Sequence, residues 1–235
     1  MKKAITFSFD DGITQDIRLI SLLDKYNLKA TFNLNSGRFG QPGVVHCLDR
    51  SASHQKVNAD EVKDIYKNHE IACHTLNHIP LVTLDDDEIV FQVEEDRKNV
   101  EKLCGYPVVG MAYPGSSKLK VPNNNLAVAQ KIQKNTSIKY VRNSIVNYKF
   151  DLQSWLFQYQ PTVHTFEFDK MEELGKTFLS LDADEPKIFY IFGHSYEFDF
   201  FNTWDRLERF FDMISNKDDI LYATNRDIIL SKWYE

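Results

Sequence analysis

The chain has 235 residues, 43% hydrophobic and 26% charged, with only 9 Gly and 7 Pro. That balance excludes intrinsic disorder and collagen-like or low-complexity architectures. Lys and Arg number 28 against 34 Asp and Glu, a net charge of −6, so a phosphate backbone is repelled and nucleic acid is not an expected partner.

In chain order, Ile5 to Phe9 alternates apolar and hydroxyl residues and runs into Asp10-Asp11-Gly12, a strand entering a turn. Thr14 can cap the helix that follows, with Ile17, Ile20, Leu23 and Leu28 near helical spacing. Lys29 to Leu34 reads as a strand, and Asn35 to Val57 as a long polar stretch that is either functional or hides a short element. Asn58 to Asn68 is predicted helical, Glu70 to His74 a strand, Thr83 to Cys104 a helix closed by Gly105, and Val108 to Tyr113 a strand stopped by Pro114-Gly115. Leu126 to Gln133 is helical, while Lys139 to Asn143 and Trp155 to Tyr159 read as short strands. Met171 to Leu181 is helical, Lys187 to Phe192 a strongly apolar strand, Asn202 to Ser215 a helix and Ile220 to Thr224 a strand. Strand and helix alternate without a break in composition, which predicts an α/β fold with a parallel sheet and outer helices, residues 1–235 forming one domain.

Cys47, Cys73 and Cys104 are odd in number and share no C-x-x-C spacing, which argues against a disulfide framework and a four-thiolate zinc site and for a reducing compartment. Nothing reaches the roughly 18 apolar residues needed to span a bilayer. Met1-Lys2-Lys3 is followed too soon by acid to read as a leader, so the expected setting is the cytoplasm, with no membrane partner.

Polar residues gather at the predicted strand ends: Asp10 and Asp11, His74, Tyr113 and His194. In a parallel barrel those ends converge on one mouth, where active sites lie. If His74 to His78 makes a helical turn, the two imidazoles face one way with Cβ atoms about 5–6 Å apart, as one metal ion requires. Two His and one Asp form a three-ligand site with open positions. Neighbouring strand residues point to opposite faces, so Asp10 and Asp11 are expected to divide the work, one on the metal and one on its water.

Thr6 to Gly12 (TFSFDDG) resembles the opening motif of the polysaccharide deacetylase family, His74-Thr75-Leu76-Asn77-His78 its H-[ST]-x-x-H motif, and Ile191-Phe192-Gly193-His194 its late strand ending in histidine. The resemblance implies a distorted (β/α)₇ barrel and hydrolysis of an acetyl group from an N- or O-acetylated sugar or oligosaccharide. It implies Asp10 as general base, Asp11, His74 and His78 as ligands of a divalent metal (zinc first, with Co, Ni, Mn or Fe as substitutes), and His194 as general acid. Where the family carries R-x-P-[YF], this chain has Ala112-Tyr113-Pro114-Gly115. Gly115 still offers a backbone N–H to an oxyanion, and Arg142 is the candidate replacement for the missing arginine. The family's Asp-Trp pair has no clear counterpart, so the group orienting His194 is left open, with Asp169 as a stand-in.

Tyr113, Trp155, Tyr196 and Trp204 lie near mouth segments and are candidates to line a cleft. His46, His54 and His164 read as ordinary histidines. Two other functions compete. A non-haem iron oxygenase also uses two His and a carboxylate, but its H-x-D step is missing here. A catalytically weak carbohydrate-binding relative, or a hydrolase of another soluble amide, would share the same motifs.

Overall fold

The computed structural model describes residues 1–47, 49–115 and 125–233, with the Cys47 side chain outside them. In chain order the elements are β1 (Lys3–Asp10), α1 (Asp16–Lys25), β2 (Ala30–Leu34), β3 (Val44–Cys47), β4 (Arg50–Ser53), α2 (Val62–Ile65) and β5 (Glu70–Cys73). There follow α3 (Asp86–Cys104), β6 (Gly110–Ala112), α4 (Leu126–Asn135), β7 (Tyr140–Arg142), β8 (Val163–His164), α5 (Phe168–Ser180) and β9 (Lys187–Gly193). The chain continues through α6 (Tyr196–Phe200), α7 (Trp204–Ile214), β10 (Ile220–Tyr222) and α8 (Asn225–Ile229). The main sheet is parallel and curled into a half-barrel in the order β7-β6-β5-β2-β1-β9-β8, with β10 beside the start of β1. Tyr159 lies against β7 and leads into β8: its N–H donates to Val141 O at 2.9 Å and its carbonyl accepts from Asn143 N at 2.8 Å.

The two-residue period of a strand sorts the side chains. In β1, Ile5, Phe7 and Phe9 join an outer apolar core with Leu19 and Leu23 of α1, Val93 of α3 and Phe211 of α7. Ala4 instead joins Tyr159, Ile188, Tyr190 and Ile228 inside the curl. Thr6, Ser8 and Asp10 share that inner face, so the barrel interior is polar and every group there needs a partner. Thr6 Oγ1 donates to Asn225 Oδ1 at 2.8 Å, and Asn33 Nδ2 donates to Ser8 Oγ and Asp10 Oδ1, both at 2.8 Å. Glu70 accepts from Thr31, Tyr140 and the Arg226 N–H. Gly110 is small because Tyr140 crosses the interior: a Cβ there would stand 2.2 Å from the Tyr140 hydroxyl.

Several local expectations are corrected. Thr14 does not cap α1; Asp16 Oδ2 accepts from the Ile13 N–H at 3.1 Å, and Ile17 is exposed while Leu19 takes the buried face. The stretch 35–57 is no correction, since it hides a short element as one of the two expected alternatives had it: the β3–β4 hairpin, whose alternation is broken by polar residues on both faces. Residues 156–158 form a 3₁₀ turn rather than a strand, with Phe157 buried in the outer core and the adjacent Leu156 packed partly buried against it. The helix expected from Asn202 is α7, preceded by a separate α6.

Candidate active site

β1 delivers Asp10 into the barrel mouth. The strand pleat then stops, because Asp11 has φ 86° and Gly12 φ 62°. Asp11 therefore does not turn to the opposite face, as continued alternation would require. His74 Nε2 lies 3.9 Å from Asp10 Oδ2 and 4.0 Å from Asp11 Oδ1, so both carboxylates meet at one place. Gly12 permits the second left-handed residue, and a Cβ there would also stand 2.8 Å from Leu34 Cδ2.

His74 and His78 are brought together by a turn, not by the helical turn expected. Thr75 (φ 65°) and His78 (φ 57°) are both left-handed, and the rings end 4.8 Å apart between centroids. The turn is held from outside. Asn35 Nδ2 donates to the carbonyls of His74 and Thr75 at 2.5 and 2.8 Å, and Asp96 accepts from His74 N and Ser36 N at 3.0 and 2.7 Å. His74 Nδ1–H donates to Ala112 O at 2.9 Å, which leaves the Nε2 lone pair facing the carboxylates. Burial holds both imidazoles in the neutral form: His74 is pushed below its ordinary value and His78 down to about 4.

One carboxylate oxygen is left over. Asp11 Oδ1 is buried and accepts no hydrogen bond, although His78 Nε2 stands 3.3 Å away. One donor atom each from Asp11, His74 and His78 lie within 4.8 Å of one another. Two neutral imidazoles and an orphaned carboxylate oxygen fit a divalent cation in donor type and in spacing.

Arg142, at the end of β7, donates to Asp10 Oδ2 and stacks its guanidinium over Phe192, 4.3 Å from the ring centroid. Burial alone would raise the Asp10 carboxyl, but Arg142, His74 and His194 hold it below its ordinary value.

Sequence reasoning missed two residues here. His54 Nε2 lies 2.9 Å from Asp11 Oδ2, and Lys56 Nζ donates to Asp11 O at 2.6 Å while standing 3.2 Å from Asp11 Oδ1. Against the pull of burial, Lys56, His54, His78 and His194 hold the Asp11 carboxyl well below its ordinary value. Both missed residues follow β4, and only the tertiary return of the hairpin to Ile13 brings them in.

His194 is paired with Glu197, not Asp169. Glu197 Oε1 is 2.9 Å from His194 Nδ1, and Thr165 Oγ1 donates to Glu197 Oε2 at 2.5 Å. Asp169 is exposed and pairs with Arg206 at 2.6 Å. The spacing His194-Ser195-Tyr196-Glu197, one helical turn, was the available signal. His164 also joins this group, its Nε2 3.5 Å from Glu197 Oε1. The Phe166 N–H donates to His164 Nδ1 at 2.9 Å, so the proton sits on Nε2 and points at Glu197. In this cluster His194 and Glu197 are hydrogen-bonded, His164 stands at ion-pair distance from Glu197, and His164 keeps no free lone pair for a metal.

The remaining candidates divide. Tyr196 stacks on His194, centroids 4.9 Å apart. Gly115 follows β6 and is exposed. Tyr113 is buried in the outer core with its hydroxyl donating to Phe157 O at 2.9 Å, so it presents no face to a ligand. Trp204 is likewise buried, its Nε1 donating to Asp199 Oδ1 at 2.7 Å. Trp155 is exposed, and its neighbours Ser154 and Leu156 line a cavity with Ile228 and Ile229 of α8 instead of joining the cluster. His46 is exposed on β3, opposite Ser51.

Among curated proteins, none matches the chain in sequence. The Bacillus anthracis BA3943, a CE4 family pseudoenzyme, superposes with a TM-score of 0.59 at 16% identity, over 97% of this chain and 66% of that one. The polysaccharide deacetylase Bc1974 from Bacillus cereus superposes with a TM-score of 0.55 at 17% identity, over 94% and 91%. At that identity the likeness establishes a shared fold. The Streptococcus pyogenes deacetylase PplD shares 18% identity with a TM-score of 0.48 over 60% of this chain, which spans only 55% of that protein's length. A family model described as polysaccharide deacetylase matches residues 1–137, more than half of the chain and a stretch that includes Asp10, Asp11, His74 and His78. The chain belongs to the polysaccharide deacetylase family.

Proposed function

We propose that the protein is a metal-dependent deacetylase that hydrolyses the acetyl group of an N- or O-acetylated sugar or oligosaccharide. The observation that carries the reading is Asp11 Oδ1, buried without a hydrogen bond and faced by the Nε2 atoms of His74 and His78. The Lys56 ammonium, 3.2 Å away, offsets part of the cost of burying this oxygen, which still accepts no hydrogen bond and is open to a divalent cation. Asp11, His74 and His78 would hold the ion, zinc first, and three protein ligands leave positions open for water and substrate. Once bound, the cation supplies Lewis acidity, acidifying water and polarising an acyl carbonyl.

Asp10 is the general base. Held ionised by Arg142, it takes a proton from the water as the water oxygen attacks the acyl carbon. His194 is the general acid. Glu197 keeps it protonated, so it gives its proton to the leaving nitrogen as the acyl C–N bond breaks, and the amine departs neutral. For an O-acetyl group the same proton goes to the sugar oxygen. The Gly115 backbone N–H is assigned to the oxyanion.

The test joins metal analysis by inductively coupled plasma mass spectrometry to acetate release from N-acetylated chitooligosaccharides. His78→Ala is expected to lose cation and activity together. Asp10→Asn is expected to keep the cation and lose about 10²–10⁴-fold in rate. Retention of the cation by His78→Ala would refute the metal site, and a wild-type rate in Asp10→Asn would refute the base.

A further inference from the structure

Each of the two buried aspartates has a cation of its own. Asp10 is paired with Arg142 and Asp11 with Lys56, so these four groups carry no net charge before any ion arrives. Lys56 is fixed in place. Its side chain is 2% exposed, and its backbone is locked by an antiparallel bridge to Ile13, with Val57 N donating to Gly12 O at 3.0 Å and Thr14 N to Gln55 O at 2.9 Å. The ammonium donates to Asp11 O at 2.6 Å, lies 3.5 Å from Asn35 Oδ1, and stands 3.2 Å from Asp11 Oδ1, the oxygen that His78 also faces. His54 takes the other oxygen, Oδ2, at 2.9 Å.

A positive charge held this near a ligand oxygen acts in two directions. It repels an arriving divalent cation, and it relieves the cost of a buried carboxylate when no cation is bound. Arg142 does the second for Asp10, but its guanidinium is on the base, not on the ligand oxygen.

We infer that Lys56 is an internal counter-ion for the cation site, one that stabilises the cation-free protein and holds divalent-cation affinity below what Asp11, His74 and His78 alone would give. The inference rests on the metal-site reading proposed above. Its consequence is an exchangeable cation, not a permanently resident one.

The test uses the full chain and measures Zn²⁺ and Co²⁺ dissociation constants by competition with a chromophoric chelator, together with the melting temperature of chelator-treated protein. Lys56→Gln keeps a donor for the Asp11 carbonyl and removes the charge; Lys56→Arg keeps the charge. Lys56→Gln is expected to bind at least about tenfold more tightly than wild type and to melt lower without cation, while Lys56→Arg binds no more tightly than wild type. Equal or weaker binding by folded Lys56→Gln overturns the inference. A Lys56→Gln protein that folds only with cation present supports it. If Lys56→Gln and Lys56→Met both fail to fold even with cation, it is overturned, since the ion should replace the lost charge. Failure of the metal-site reading looks different: the affinity measured for wild type, or for Lys56→Gln where wild type binds nothing measurable, would then be unchanged by His78→Ala. Binding by Lys56→Gln that His78→Ala abolishes supports the inference even where wild type binds nothing measurable.

Discussion

Burial alone would strip His194 of its proton, but Glu197, 2.9 Å from Nδ1, holds the imidazole up to about 9, above its ordinary 6.5. A raised histidine contributes stability that is complete below pH 6.5 and lost as pH rises through about 9. Glu197→Gln removes the carboxylate, so the alkaline limb of kcat/KM is expected to move to lower pH and the pH dependence of the melting temperature over that window to flatten. An unmoved limb would separate Glu197 from proton control. Asp10 runs the other way: its depressed carboxyl stabilises the fold above its ordinary range and loses that contribution as pH falls. Arg142→Met removes the largest influence opposing burial at Asp10, so the acidic limb of kcat/KM should shift upward in pH, and kcat/KM measured from pH 4 to 7 decides it. The identities Asp10, Asp11, His74, His78 and His194 were legible because each belongs to a short motif. Their partners were legible unevenly: Arg142 was a candidate cation, His54 read as an ordinary histidine, and Glu197 and Lys56 went unread.

Elements place these residues through hydrogen bonds that no motif contains. The turn bearing His74 and His78 is not helical, and it keeps its left-handed residues because α3 and the segment after β2 grip its backbone. Asp96 is the anchor on α3, accepting from Ser36 N and His74 N, and it is fully buried. Asp96→Ala leaves the half-buried Ser36 N–H without its acceptor and the His74 N–H with only the Leu34 carbonyl, and should cost about 1–3 kcal/mol in urea unfolding. It should also weaken cation binding, since His74 loses its backbone support. Unchanged stability would show that water replaces the carboxylate. The β3–β4 hairpin shows the opposite limit of sequence reading: its strands are short and largely exposed, so no apolar period marks them, yet the chain leaving β4 brings His54 and Lys56 to Asp11.

At the scale of the molecule, two cores divide the work. The outer core between sheet and helices is aromatic, with Phe189 packed edge-on to Phe150 and tilted against Phe178. The inner core is smaller and gives way to a polar network closed from below by Asn225 of α8. Phe189→Ala is expected to cost about 3–5 kcal/mol in denaturant unfolding while leaving the cation affinity of the folded protein unchanged. A loss of affinity instead would mean that β9 transmits strain through its neighbour β1 to Asp11. Among the described residues, no helix is long and apolar enough to cross a membrane.

What the amino-acid order determined by itself was local: the strand period that turns Thr6, Ser8 and Asp10 to one side, the Asp-Asp-Gly turn, the spaced histidines, and the alternation of strand and helix. Those features depend on residues within a few positions of one another, so short-range sterics and periodicity suffice to read them. The tertiary structure alone decided which charges stand beside Asp10 and Asp11. Arg142 lies 132 positions from its partner and Lys56 lies 45, and a pairing across such distances follows from the register of the curled sheet and the return of a hairpin, neither of which leaves a periodic trace in the chain.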